Sequence, residues 1–159
     1  MDDLDRIKNI AIIGGGIMGS GIAQVALLTG YEKVTIVDLK NDILQKSKET
    51  IQKRIVALES EENFKKFLLE SGNSTERREK INFNKKLTEF KSVGIIANRI
   101  NKSTIMSRLK TETDISKGVV DADFVIEAVP EILITKQTVF KKLGEFSPPY
   151  TVLASNTST

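Results

Sequence analysis

The 159 residues include no cysteine, no histidine and no tryptophan, and only three prolines. Without cysteine there can be neither a disulfide nor a thiolate metal site. Without histidine the commonest general base and the commonest transition-metal ligand are missing, so no metal centre is expected. Two tyrosines offer little for stacking nucleic-acid bases, so no nucleic-acid partner is expected. No run of 18 apolar residues occurs, so no membrane span is expected. The start, Met1-Asp2-Asp3-Leu4-Asp5, is acidic and does not read as a secretory leader, so a cytoplasmic protein is expected.

What is present is ordinary for a globular chain: 40% hydrophobic, 28% charged, net charge +3. That length and mixture predict one domain, 1–159, with a real core. The basic residues are uneven and crowd positions 65 to 110, as in Lys65, Lys66, Arg77, Arg78, Lys85 and Arg99. Such a crowd is either a solvated helical surface or a site for an anionic partner such as a nucleotide-bearing substrate.

The chemistry-bearing motif is G-x-G-x-x-G at Gly14, Gly16 and Gly19. A β-like run, Ile7–Ile13, leads in and a helical run from Ile17 leads out. A second β-like run, Lys33–Val37, ends in Asp38, 19 residues after Gly19. Strand, glycine turn, helix, strand and acid in this order predict a dinucleotide site. Gly14 permits the sharp turn, Gly16 lets a pyrophosphate approach, and Gly19 lets the helix pack closely on the sheet. The helix start offers unpaired N–H groups to phosphates. Asp38 can accept hydrogen bonds from ribose hydroxyls and would repel a 2′-phosphate, which favours NAD over NADP. The alternative is a glycine-rich turn with no ligand.

The pattern predicts strands at 7–13, 33–38, 108–112, 124–129 and 150–154. Helices are expected at 17–29, 42–58 (capped by Asn41), 115–120 and 132–146. Residues 59–106 read as a helical insertion, with Ser74 or Thr75 able to cap a helix within it. Asp114 reads as a turn residue or helix cap. The apolar run Phe124–Val129 suits a parallel strand buried on both faces. Alternating strands and helices predict a parallel α/β sheet with right-handed crossovers and spatial order 3-2-1-4-5, lacking the sixth strand of a full fold of this class.

Four stretches together resemble the NAD-binding domain of the 3-hydroxyacyl-CoA dehydrogenase family. They are Ile13-Gly14-Gly15-Gly16-Ile17-Met18-Gly19-Ser20-Gly21-Ile22-Ala23-Gln24, Val37-Asp38, Asp123-Phe124-Val125-Ile126-Glu127-Ala128-Val129-Pro130-Glu131, and Leu153-Ala154-Ser155-Asn156-Thr157-Ser158. The glycine turn is shared with other Rossmann families; E-A-V-P-E and S-N-T-S are more specific. The resemblance covers most of the chain outside 59–106.

It implies that Gly14, Gly15, Gly16, Ile17, Met18, Gly19 and Asp38 hold NAD. It implies that Glu131 and Lys136 contact the cofactor and that the backbone at Ala128 and Val129 passes close to it. Asn156 and Ser158 would line the junction of nicotinamide and hydroxyacyl group, Ser158 helping to polarise the substrate oxygen. The implied activity is oxidation of the 3-hydroxyl of an acyl-CoA in fatty-acid β-oxidation-type metabolism.

In that family a histidine paired with a glutamate acts as base on a later strand, and a helical C-terminal domain closes the cleft. Both are expected to be absent from this chain, so it should bind NAD weakly and turn over little or nothing alone. A non-catalytic NAD-binding module and one half of a split enzyme are the alternative expectations. Glu127, at the end of an apolar strand, can cap a neighbouring helix or pair with a lysine. An exposed edge beside the fifth strand is expected to favour homo-oligomers.

Overall fold

The computed structural model describes residues 7–58 and 102–157. The chain runs β1 (Asn9–Ile13), α1 (Ile17–Leu28), β2 (Lys33–Val37), α2 (Asn41–Ala57), α3 (Lys102–Ser107), β3 (Leu109–Glu112), α4 (Ile115–Gly118), β4 (Phe124–Glu127), α5 (Leu133–Phe146) and β5 (Val152–Ser155). The strands form one parallel sheet in the order β3-β2-β1-β4-β5. This is the expected doubly wound α/β architecture. The expected insertion at 59–106, with its capping Ser74 or Thr75, lies outside the described residues save for α3.

Side-chain alternation along β1 divides the core in two. Ile10 and Ile12 point to one face and pack with Ala23 and Leu27 of α1, Leu44, Ile51 and Ile55 of α2, and Ile105 of α3. Ala11 and Ile13 point to the other and pack with Ile115 of α4 and Val139 and Leu143 of α5. The apolar side of α2 is spaced as one face of a helix: Leu44, Ile51, Ile55 and Leu58 are buried, with Ile43 half-buried.

The handedness of the crossovers explains one departure from expectation. Connections that step from β1 out to β2 and β3 lay their helices on one face. Those that step back to β4 and on to β5 lay theirs on the other. Among the described residues, the α1 side of β4 therefore carries no helix of its own. Phe124 and Ile126 on that side are only half-buried, whereas Val125 and Glu127 are buried. β4 is thus fully covered on one face, not both.

Element ends differ from the sequence expectations where polar side chains redirect the backbone. β1 begins at Asn9 rather than Ile7 because the Asp123 carboxylate accepts from Lys8 N and Asn9 N, both at 2.8 Å. α2 begins at Asn41, with Lys40 as its cap and no side-chain capping bond, so Asn41 is not the N-cap. Asp38 Oδ1 accepts from Lys40 N at 3.1 Å and draws the chain into the helix one residue early. β4 stops at Glu127 because Val129 N donates to that residue's own carboxylate. β5 starts at Val152, since Thr151 N donates to Pro148 O in a turn that takes up Tyr150. β3 begins after Arg108, whose guanidinium donates to Leu27 O and Tyr31 O and closes the end of α1. Burial without a full set of partners holds this guanidinium below its ordinary pKa.

Candidate functional site

Because all strands are parallel and in register, their carboxyl ends form one row: Glu112, Val37, Ile13, Glu127 and Ser155 are successive neighbours across the sheet. The strand order reverses between β1 and β4, the point beyond whose strand ends sheets of this class form their binding crevice. The sequence-predicted residues at the glycine turn, Asp38, Ala128, Val129, Glu131, Lys136 and Asn156 all gather along this row. Ser158 lies outside the described residues.

The glycine turn is shaped by what a side chain would strike. Gly14 has φ +110°, and a Cβ there would lie 2.5 Å from Ala128 O. Its N–H donates to Val37 O at 2.7 Å, tying the turn to β2. A Cβ on Gly19 would lie 1.8 Å from Gly14 O, so α1 sits directly against the turn. At Gly16 a Cβ would meet nothing within 4 Å, so the turn is open to the crevice there. Gly16 caps α1 without a side-chain bond, and Ser20 N is the first group to bond back, to Gly16 O at 2.9 Å. The N–H groups before it are left to face the crevice. One close approach was not foreseen: a Cβ at Gly118 would lie 2.3 Å from Val37 Cγ2, which lets α4 lie against β2.

Asp38 does more than the sequence suggested. Its Oδ2 accepts from Gly15 N at 2.8 Å while Oδ1 accepts from Lys40 N, so the carboxylate is locked to the turn as well as to α2. Each oxygen keeps a lone pair for a further donor.

On the other side of β1 stands a cluster around Lys136. Its ammonium is 2.8 Å from Glu131 Oε2 and 3.2 Å from Glu127 Oε2, with its side chain only 12% exposed. Lys136 is therefore an ion-paired group rather than a solvated charge. The hydrogen bond to Glu131 raises the Lys136 pKa above the lysine norm, and the same bond holds the Glu131 carboxyl below the usual carboxylate range. Glu127 is wholly buried. Its Oε1 accepts from Val129 N at 2.8 Å, and its Oε2 accepts from Ser155 Oγ at 2.5 Å as well as from Lys136. Of the two roles weighed for it, pairing with a lysine is the one realised. Asn156 is exposed at the exit of β5, and its N–H donates to Glu127 O at 2.8 Å. Asp114 is confirmed as a helix cap, accepting from Ser116 N at 2.9 Å.

The sequence singled out neither Ser155 nor the linking role of Glu127; the one available signal was a carboxylate closing an otherwise apolar strand. An apolar cleft of about 740 Å³ also runs beside α1, lined among others by Ile10, Ile22, Val25, Phe124 and Ile126. It lies over the half-buried side of β4 and runs along α1 from Ile17 and Met18, beside the glycine turn, to Ala26. No group of histidine, cysteine or carboxylate residues able to hold a metal occurs among the described residues.

The sequence matches the family described as "3-hydroxyacyl-CoA dehydrogenase, NAD binding domain" over residues 9–100 and 82–159. It is 37% identical over 153 residues to the mitochondrial hydroxyacyl-coenzyme A dehydrogenase of Mus musculus and 36% identical to that of Homo sapiens. Each match takes in 96% of this chain and 40% of the relative. The crystal structure of a 3-hydroxybutyryl-CoA dehydrogenase from Escherichia coli superposes with a TM-score of 0.66 at 27% identity, covering 96% of this chain and 25% of that one. The chain thus spans about 40% of the length of the curated relatives named here.

Proposed function

The chain belongs to the 3-hydroxyacyl-CoA dehydrogenase family, as its NAD-binding domain, and from that premise we propose how its residues serve the cofactor and the reaction. NAD fits the crevice on the chain's own geometry. Gly16 leaves the turn open, the uncapped start of α1 aims N–H groups at a diphosphate, and Asp38 is held where ribose hydroxyls can donate to it. The observation that carries the proposal is this locked carboxylate beside the open turn. Gly14, Gly15, Gly16, Ile17, Met18 and Gly19 would hold the diphosphate. Ala128, Val129, Glu131 and Lys136 would border the other half of the cofactor, and Asn156 and Ser158 would line its junction with the substrate.

Bound NAD supplies the acceptor for the hydride that leaves C3 of a 3-hydroxyacyl-CoA, the substrate class we propose for the whole protein. The hydroxyl proton needs a base, and these 159 residues contain no histidine. We assign the base to residues outside this sequence and expect little or no turnover from the chain alone. Residues 1–159 are read as one domain. The relatives named above carry "mitochondrial" in their names. A cytoplasmic location for this chain stays part of the proposal and is tested by cell fractionation. No helix among the described residues is long and apolar enough to cross a membrane.

The experiment is a titration with NAD and NADP. Asp38→Asn is expected to weaken NAD by about tenfold, as for loss of one charge-assisted hydrogen bond, and to narrow its lead over NADP. An unchanged NAD affinity refutes the ribose role. Turnover of acetoacetyl-CoA with NADH near the rate of a full-length relative refutes the assignment of the base.

A further inference from the structure

We propose that Glu127 is a positioning residue for the cofactor site, its buried carboxylate holding both the 128–129 backbone and the Lys136 ammonium in place. The assignment rests on the function proposed above, in which those two groups border NAD. Four groups from three pieces of chain converge on this one residue. Its Oε1 fixes Val129 N; its Oε2 takes Lys136 from α5 and Ser155 Oγ from β5; and its main-chain oxygen takes Asn156 N. The neighbouring Ala128 N donates to Ile13 O at 2.8 Å, which brings the same bend against the glycine turn.

A carboxylate with no exposure is a poor choice for stability alone, because desolvation offsets most of what its pairing returns and an apolar side chain would serve as well. Its use is directional. Glu131, the other partner of Lys136, has a side chain 50% exposed. With Glu131 alone the lysine is free to follow it toward solvent. With Glu127 beneath it, the ammonium stays over the carboxyl ends of β4 and β5. Glutamine cannot replace this. Its Oε1 can still accept from Val129, but its amide then turns N–H donors toward Lys136 Nζ, which is itself only a donor.

The test uses NAD titration of the chain together with the acetylation rate of Lys136, read by mass spectrometry, in Glu127→Gln, Lys136→Met and the double variant. Glu127→Gln is expected to weaken NAD by about tenfold and to speed labelling of Lys136. The double variant is expected to bind better than the product of the two single losses, since both act through one ammonium group. Glu127→Asp keeps the charge and is expected to fall between wild type and Glu127→Gln in both readouts, and it stands in if the glutamine variant does not fold. Unchanged labelling of Lys136 overturns the assignment, as do losses that simply multiply. If the wild-type chain binds no NAD, the function proposed above fails, and the labelling rate still decides the role of Glu127.

Discussion

Replacing Gly19 by alanine sets two opposed effects against each other, and the structure says which wins. Alanine within a helix is favoured over glycine by about 1 kcal/mol. A Cβ at Gly19 would stand 1.8 Å from Gly14 O, 3.0 Å from Gly14 C and 3.3 Å from Ile12 Cγ2. The first two are backbone atoms of a turn that is tied to β2 by Gly14 N and to Asp38 by Gly15 N, so neither can yield cheaply. To clear the oxygen, α1 must lift off the turn by more than an ångström. Overpacking of this kind costs about 3 kcal/mol, so a net loss of about 2 kcal/mol is expected, or a fall of roughly 4–8 °C in Tm for a domain of this size. Gly21, two residues along the same helix, is the internal control: a Cβ there meets nothing within 4 Å, and Gly21→Ala is expected to gain about 0.5–1 kcal/mol. Urea denaturation of the two variants measures both. Losses of equal size, or a Gly19 variant as stable as wild type, would refute the steric account of the turn.

Gly16→Ala is expected to leave the urea midpoint within about 0.5 kcal/mol of wild type while lowering NAD affinity severalfold, because the new methyl occupies only space open to the crevice; an undiminished affinity on titration would place the diphosphate elsewhere. The Glu131–Lys136 pair gives a pH signature. The depressed Glu131 pKa contributes stability above the ordinary glutamate value and loses it as pH falls through the depressed one. The raised Lys136 pKa contributes below the ordinary lysine value and loses that as pH rises through the raised one. Lys136→Met should therefore lie below wild type across neutral pH and converge with it at the acid end, as urea midpoints across pH will show; curves that stay parallel into acid would contradict the pairing.

The order of strands, the glycine turn and the acid after β2 could be read from the chain because each depends on local signals. The β-like run Lys33–Val37, the 3.6-residue spacing of Leu44, Ile51 and Ile55, and Gly14 with its positive φ are of this kind. What could not be read depends on groups far apart in sequence. Asp123 decides where β1 starts from 114 residues away, and Ser155 reaches Glu127 across 28 residues. Asp38 was foreseen as a ligand group but not as a clamp on its own loop, because a side chain's bond to Gly15 N needs the turn to be folded first. The half-bare face of β4 was missed for another reason: hydrophobicity does not show on which side a crossover helix passes.

Among the described residues β5 pairs with β4 alone, and it is four residues long with Val152, Leu153 and Ser155 exposed. A strand so placed opens at far lower free energy than the whole domain. When it does, Ser155 Oγ and Asn156 N leave Glu127 together, and the residue loses one hydrogen bond at its buried carboxylate and one at its main-chain oxygen. Fraying of the sheet's edge and loosening of the lysine cluster are therefore the same event. Amide exchange along Val152–Asn156 measures directly how much of the time this half of the crevice is assembled.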